Sequence, residues 1–188
     1  MKIEAVDIKV GNILNYNNEL YSVTKTMHTK PGKGGAFMQV EMKSITSSTK
    51  QNVRFRSNES VEKVRLDERK FQFLYKNGDS LEVMDQESYE QMALNPSILG
   101  EELLPLLREG MEVAIEMHDE KPLLMKLPET EVYEVEDCEV AIKGQTVTSS
   151  YKPAIVNGGA RVMVPPFINI GDRIIVRTET QEYVEREK

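Results

Sequence analysis

At 188 residues the chain has room for one large domain or two to three small ones. Its hydrophobic fraction of 39% can fill small cores, but no run of about 18 apolar residues exists to span a membrane. The net charge of −7 taken whole argues against a nucleic-acid partner, and the single cysteine, Cys138, excludes an internal disulfide. The charge is unevenly spread, however. Residues 1–64 hold ten Lys/Arg against six Asp/Glu, residues 65–128 hold seven against fourteen, and residues 129–188 hold seven against eleven. Phosphate contacts depend on the local field, so the basic first third is the place to look for them.

The opening Met1-Lys2-Ile3-Glu4-Ala5 lacks the apolar core of a signal peptide, and together with the lone cysteine it predicts a cytoplasmic protein. Turn signals at Gly11-Asn12 and Asn17-Asn18 bound the first short segments. Leu20 to Met27 reads as a strand. Ala36 to Met42 reads as its partner, because Met38, Val40 and Met42 alternate with Gln39 and Glu41. Between them lies Lys30-Pro31-Gly32-Lys33-Gly34-Gly35. Pro31 fixes its own φ, and Gly32, Gly34 and Gly35 are expected to supply conformations costly for other residues. Lys33 then stands at a hairpin tip, suited to something anionic and distant; an ordinary solvated turn is the competing reading. A nucleotide-binding P-loop does not fit, since the spacing is wrong and a strand follows where a helix is required.

Asn77-Gly78 predicts a hairpin joining Phe71–Tyr75 to Ser80–Met84. Two stretches read as helical: Ser88 to Leu94, and Ser97 to Leu107 with Asn95 as N-cap, Pro96 in the first turn and Pro105 shortening it. Soft boundaries fall near Lys63–Arg65 and Leu127–Glu129. Further on, Tyr133 and Val135 alternate with Glu134 and Glu136, as in a strand with an acidic solvated face. Turns follow at Asn157-Gly158-Gly159 and Gly171-Asp172. Short strands with few helices predict an all-β chain of three small β-barrels, at 1–64, 65–128 and 129–188.

Enzyme chemistry has little to stand on. His28 and His118 lie far apart and neither neighbours Cys138 at a ligand spacing, so no zinc site is predicted. His28 adjoins the loop and reads either as an aid to anion binding or as a half-exposed strand residue. No nucleophile elbow or dinucleotide fingerprint appears.

The run Lys30-Pro31-Gly32-Lys33-Gly34-Gly35-Ala36-Phe37 resembles the modification loop of the bacterial elongation factor P family. Lys152 to Gly171, with Lys-x-Ala, a glycine five residues later, then Val-Pro and a closing glycine, is similar to that family's carboxy-terminal signature. The tail Glu182-Tyr183-Val184-Glu185-Arg186 is a third match, and the resemblance runs from end to end. It implies an L-shaped protein with an SH3-like (KOW-type) barrel followed by two OB-fold barrels. It also implies a translation elongation factor that is not an enzyme. Such a factor binds both ribosomal subunits between the peptidyl- and exit-tRNA sites and rescues ribosomes stalled on consecutive prolines. By the same resemblance Lys33 is the site of post-translational modification, performed by a lysine-modifying enzyme, with no cofactor or metal. Lys30 is expected to support RNA binding through charge, and the loop backbone at Gly32, Gly34 and Gly35 to contact RNA phosphate; the resemblance places Tyr183 and Arg186 close to the peptidyl-tRNA. A monomer is expected.

One segment departs from the family. Between Gly144 and Lys152 the chain reads Gln145-Thr146-Val147-Thr148-Ser149-Ser150-Tyr151, where many members have a glycine-richer loop associated with the exit-site codon. Only Thr146 matches, so no site is assigned there. The competing readings are a divergent paralogue, against which Lys33 argues, and a generic single-stranded RNA binder. The latter is disfavoured by acidic second and third parts and the absence of tryptophan.

Overall fold

The computed structural model describes residues 1–140 and 150–188; of the divergent segment 145–151, residues 145–149 lie outside the described residues and Ser150 and Tyr151 within them. More than half of the described chain is strand, in three sheets, and its helical content is confined to 3-10 turns. Among the described residues no helix is long and apolar enough to cross a membrane.

The first sheet contains β1 (Lys2–Glu4), β2 (Ile13–Tyr16), β3 (Glu19–Thr29), β4 (Phe37–Ser44), β5 (Lys50–Arg56) and β6 (Ser60–Val64), in the order β1-β6-β2-β3-β4-β5. Asn17 and Asn18 both take positive φ, 52° and 62°, which gives the tight turn whose twist matches paired strands. The predicted alternation on β4 is realised: Met38, Val40 and Met42 are buried with Leu14, Tyr21, Val23 and Phe55. Glu19 organises the turn after β4. Its carboxylate accepts hydrogen bonds from the hydroxyls of Ser44, Ser47 (3.1 Å) and Tyr21 (2.9 Å). These bonds, that of Ser44 foremost, hold its pKa below the ordinary carboxylate value.

The second sheet is ordered β11-β10-β7-β8-β9, from β7 (Asp67–Asn77), β8 (Ser80–Asp85), β9 (Gln91–Leu94), β10 (Glu112–His118) and β11 (Lys121–Lys126). Asn77-Gly78 makes the predicted hairpin, with Asn77 opposite Ser80. The helix predicted over Ser88 to Leu94 is not formed. The Asp85 carboxylate accepts from the N–H groups of Glu87 (2.8 Å) and Ser88 (3.1 Å) in the manner of an N-cap, and the Tyr89 N–H closes one turn on the Asp85 carbonyl at 2.9 Å, but the turn is not continued. The chain then reverses at Tyr89 (φ 61°) and pairs as β9 with β8, burying Leu94. The second predicted helix is reduced to two 3-10 turns, Pro96–Ile98 and Leu104–Leu106. Asn95 is the N-cap as expected, its Oδ1 accepting from the Ser97 N–H at 2.9 Å. Pro105, which lacks an N–H, lies in the second turn.

The third sheet is ordered β14-β13-β12-β15-β16: β12 (Thr130–Cys138), β13 (Lys152–Val156), β14 (Arg161–Val164), β15 (Arg173–Arg177) and β16 (Glu182–Arg186). The edge strands β14 and β16 lie against each other, so the sheet folds back on a core of Tyr133, Val135, Val156, Val164, Ile168, Ile174 and Val176.

The chain divides into two compact units, Met1–Glu68 with Glu116–Leu124, and Arg69–Ile115 with Met125–Lys188. Within the second unit the segment 102–108 is gripped by the third sheet. The Tyr133 hydroxyl donates to the Leu106 carbonyl at 2.6 Å. Burial pushes that phenol up to about 12, against the lowering effect of Arg108, so it remains a donor at neutral pH. Arg108 stands 4.7 Å from the Tyr133 ring centroid and pairs with Glu131 at 2.9 Å. Gln181 donates to the Glu102 carbonyl at 2.9 Å. The closest approach is at Gly158: a Cβ there would lie 2.5 Å from the Pro105 carbonyl oxygen, and its φ is +98°.

That contact generates a paired test. Gly159 also has positive φ (+88°), but a Cβ on it meets nothing within 4 Å. Gly159→Ala is expected to cost about 1–2 kcal/mol from backbone strain. Gly158→Ala adds the clash and should cost about 1–3 kcal/mol more, read from urea unfolding midpoints. Equal costs would remove the close approach from the account.

Glu19 gives a pH prediction. Its folded pKa is depressed, so its stabilising contribution is present above the unfolded pKa and is lost as pH falls through the folded value. Glu19→Gln should therefore lower the thermal midpoint at neutral pH, with the difference shrinking as pH falls below the ordinary carboxylate range. A difference independent of pH would contradict this.

Candidate RNA-contacting sites on a hairpin tip and the last strand

β3 and β4 pair from Tyr21↔Ser44 out to Thr29↔Phe37, and residues 30–36 close the hairpin. From Thr24 outward β3 is largely solvent-exposed, while its partner β4 keeps Met38 and Val40 in the core, so β3 is held there chiefly by its ladder bonds to β4. The register slips between Val23 and Lys25, and the Thr24 hydroxyl donates to the Glu41 carbonyl at 3.1 Å across that irregularity. A bulge of this kind bends a strand and increases its twist. The far side of the loop is anchored where the Ser57 N–H donates to the Ala36 carbonyl at 2.9 Å.

Lys30, Pro31, Gly32, Lys33, Gly34 and Gly35 are all exposed. The expectation that three glycines are needed for backbone conformation is corrected. Only Gly34 takes positive φ (+126°); Gly32 and Gly35 do not, and a Cβ on either meets nothing within 4 Å. The turn itself requires glycine at one position, so the other two leave the backbone bare for what approaches it.

The register also reveals cations that the sequence reading missed. Lys25, Met27 and Thr29 share a face with Phe37, Gln39, Glu41 and Lys43, and with Lys50, Asn52, Arg54 and Arg56 on β5. Five cations on that face stand against one carboxylate, Glu41, which lies 3.9 Å from Lys25. Arg54 sits 3.9 Å above the Phe37 ring centroid, which fixes its guanidinium near the hairpin. The alternation of β5 carried the signal. His28 takes the opposite face, across from Met38, and is exposed, with its Nε2 meeting the Ser57 hydroxyl at 3.1 Å.

Tyr183 and Arg186 lie on β16 in the other compact unit, apart from the loop by membership. Residues three apart on a regular strand face opposite ways. Here the pairing skips Val184: Val176 faces Tyr183, Ile175 faces Glu185 and Ile174 faces Arg186. Tyr183 and Arg186 therefore share one face. Arg186 is exposed and Tyr183 half-buried. Burial raises the Tyr183 phenol, and the Arg186 N–H and charge oppose that rise. A half-buried tyrosine with an exposed arginine beside it can offer a ring, a hydroxyl and a phosphate-gripping fork. The ring of Tyr151, which the sequence reading left unassigned, meets Tyr183 edge to face, with centroids 6.4 Å apart and planes at 90°.

Family models cover almost the whole chain. The elongation factor P KOW-like domain matches residues 4–61, the elongation factor P OB domain residues 66–125, and the elongation factor P C-terminal domain residues 132–186. The elongation factor P of Zymomonas mobilis is 53% identical over 186 residues, with 99% of each chain covered. That of Pelagibacter ubique is 51% identical, with 99% of this chain and 100% of the relative covered. That of Erythrobacter litoralis is 50% identical over 184 residues, with 98% of each covered. Among solved structures, the translation initiation factor 5A from Methanococcus jannaschii aligns with a TM-score of 0.54 at 25% identity, over 68% of this chain and 94% of that one. With a KOW-like first domain, OB-type β structure after it and full-length identity near one half, the chain belongs to the elongation factor P family, whose members are translation factors and not enzymes.

Proposed function

We propose that this elongation factor binds the ribosome beside the peptidyl-tRNA and stimulates peptide-bond formation where consecutive prolines stall it. The observation that carries the reading is the exposed cation Lys33 at the tip of a hairpin whose outer face is basic. Proline is a poor partner in peptide transfer because its ring restricts the backbone and its nitrogen is secondary. Stalling is then a failure of positioning. A protein that holds the peptidyl-tRNA in productive geometry lowers the entropic part of the barrier without supplying a reacting group.

In this reading Lys33 reaches toward the tRNA acceptor end. Its side chain extends on the order of 6 Å from the backbone, and a lysine-modifying enzyme lengthens that arm with further hydrogen-bond donors. Lys30 contributes charge. Bare backbone at Gly32, Gly34 and Gly35 lets RNA approach the loop N–H groups. Tyr183 and Arg186 hold a second stretch of the peptidyl-tRNA. The work is divided among three parts, 1–64 with the loop, 65–128 and 129–188, acting as a monomer in the cytoplasm on both ribosomal subunits.

The test is reconstituted translation of a message with three consecutive proline codons, comparing no factor, protein from its native host, and Lys33→Ala. The native protein should relieve the stall, and Lys33→Ala should lose about tenfold or more in rate at the proline codons, equivalent to roughly 1.4 kcal/mol of barrier. Messages without proline runs should be unaffected. Absence of relief by the native protein on matched ribosomes would overturn the reading.

A further inference from the structure

Tyr151 is an exposed ring in contact with a candidate RNA-binding residue, and the function described above gives it no role. It immediately precedes β13, whose first residue, Lys152, pairs with Val164 on β14. Lys152 is tethered in turn, its Nζ donating to the Glu139 carbonyl. Since β14 lies against β16, the start of β13 comes beside Tyr183 across the seam where the third sheet folds back. The two rings divide their exposure unequally. Tyr151 is 53% exposed, whereas Tyr183 is half-buried. An edge-to-face pair of this kind fixes ring orientation at little cost, because each tyrosine has few rotatable bonds. The ring best placed to receive a flat ligand is therefore Tyr151, with Tyr183 behind it and exposed Arg186 on the same strand face as Tyr183.

We propose that Tyr151 is the stacking surface of the carboxy-terminal RNA contact: one unpaired nucleotide lays its base on the Tyr151 ring, Tyr183 braces that ring, and Arg186 takes a neighbouring phosphate. The proposal rests on the reading of β16 as an RNA contact. A base presents a π-face whatever its identity, so such a platform grips RNA without demanding a sequence. An arginine fork suits the phosphate beside it. An apolar protein partner would have no use for the arginine.

The full chain with Tyr151 changed to Phe, Trp, Leu or Ala is titrated into ribosomes stalled on three proline codons, and the concentration giving half-maximal relief is measured. Stacking predicts that Tyr151→Phe and Tyr151→Trp stay within about twofold of the parent, while Tyr151→Leu and Tyr151→Ala need at least about fivefold more protein. Urea midpoints should be alike for all four. Leucine fills space against Tyr183 but cannot stack, so parental behaviour of Tyr151→Leu would reduce Tyr151 to packing and overturn the proposal. A photoreactive benzoylphenylalanine at position 151 should cross-link to RNA nucleotides; cross-links to ribosomal protein alone would overturn it too. Relief by the parent with equal relief by every variant sinks this inference and leaves the function standing. No relief by the parent sinks both.

Discussion

The pairing of β3 with β4 is the constraint on which the account turns. Over Tyr21 to Val23 the two strands are held by burial, with Val23 opposite Met42. From Lys25 to Thr29 the apolar contribution of β3 fades, and the backbone ladder ties that strand to β4, whose Val40 and Met38 stay in the core. Strand side chains alternate strictly, so this one register decides three things together. It sends Met38 and Val40 inward, it collects Lys25, Lys43, Lys50, Arg54 and Arg56 on one outer face, and it leaves Lys33 at the tip. A slip of one residue would exchange the two faces and bury the cations. The slip at Thr24 is confined to one residue and bridged by that residue's own hydroxyl.

The second compact unit solves a different problem. There the irregular segment 102–108 lies against the third sheet, and its backbone polar groups need partners. Tyr133 supplies one to Leu106, Gln181 supplies another to Glu102, and Gly158 lets the chain come against the Pro105 carbonyl. The Arg108–Glu131 pair beside them is partly shielded and stacked on Tyr133, which distinguishes it from the exposed Lys25–Glu41 pair, a type worth little by itself. The same third sheet carries Tyr151, Tyr183 and Arg186 on or beside its seam. The RNA contact proposed for that sheet would use this fixity, since every side chain ordered on binding subtracts from affinity.

Much of this was legible in the sequence because alternation is a direct consequence of strand geometry. Met38, Val40 and Met42, or Tyr133 and Val135, announce their buried face by spacing alone, and Asn77-Gly78 announces its turn. The loop was legible through its motif. What escaped was decided by contacts between distant residues or by a single side chain. Ser88 to Leu94 has helical spacing and Asp85 even caps a first turn, yet Tyr89 takes positive φ and pairing with the distant β8 decides the outcome. Tyr183 and Arg186 are three apart, a spacing that on a plain strand separates them; the bulge at Val184 reunites them, and no local pattern marks it. Tyr151 sits in a segment that departs from the family pattern, and its partner is distant in the chain, so only the folded sheet discloses the pair.

The central claim is that the hairpin tip lies at the acceptor end of the peptidyl-tRNA. Directed hydroxyl-radical probing tests it most directly. Cys138, the chain's single cysteine, is replaced by serine, and exposed Thr29 at the base of the loop by cysteine carrying a tethered iron chelate. On ribosomes stalled at consecutive prolines, the account predicts strand cleavage in the acceptor end of the peptidyl-tRNA. Cleavage of ribosomal RNA far from the peptidyl-transfer centre, with the acceptor end untouched, would contradict it.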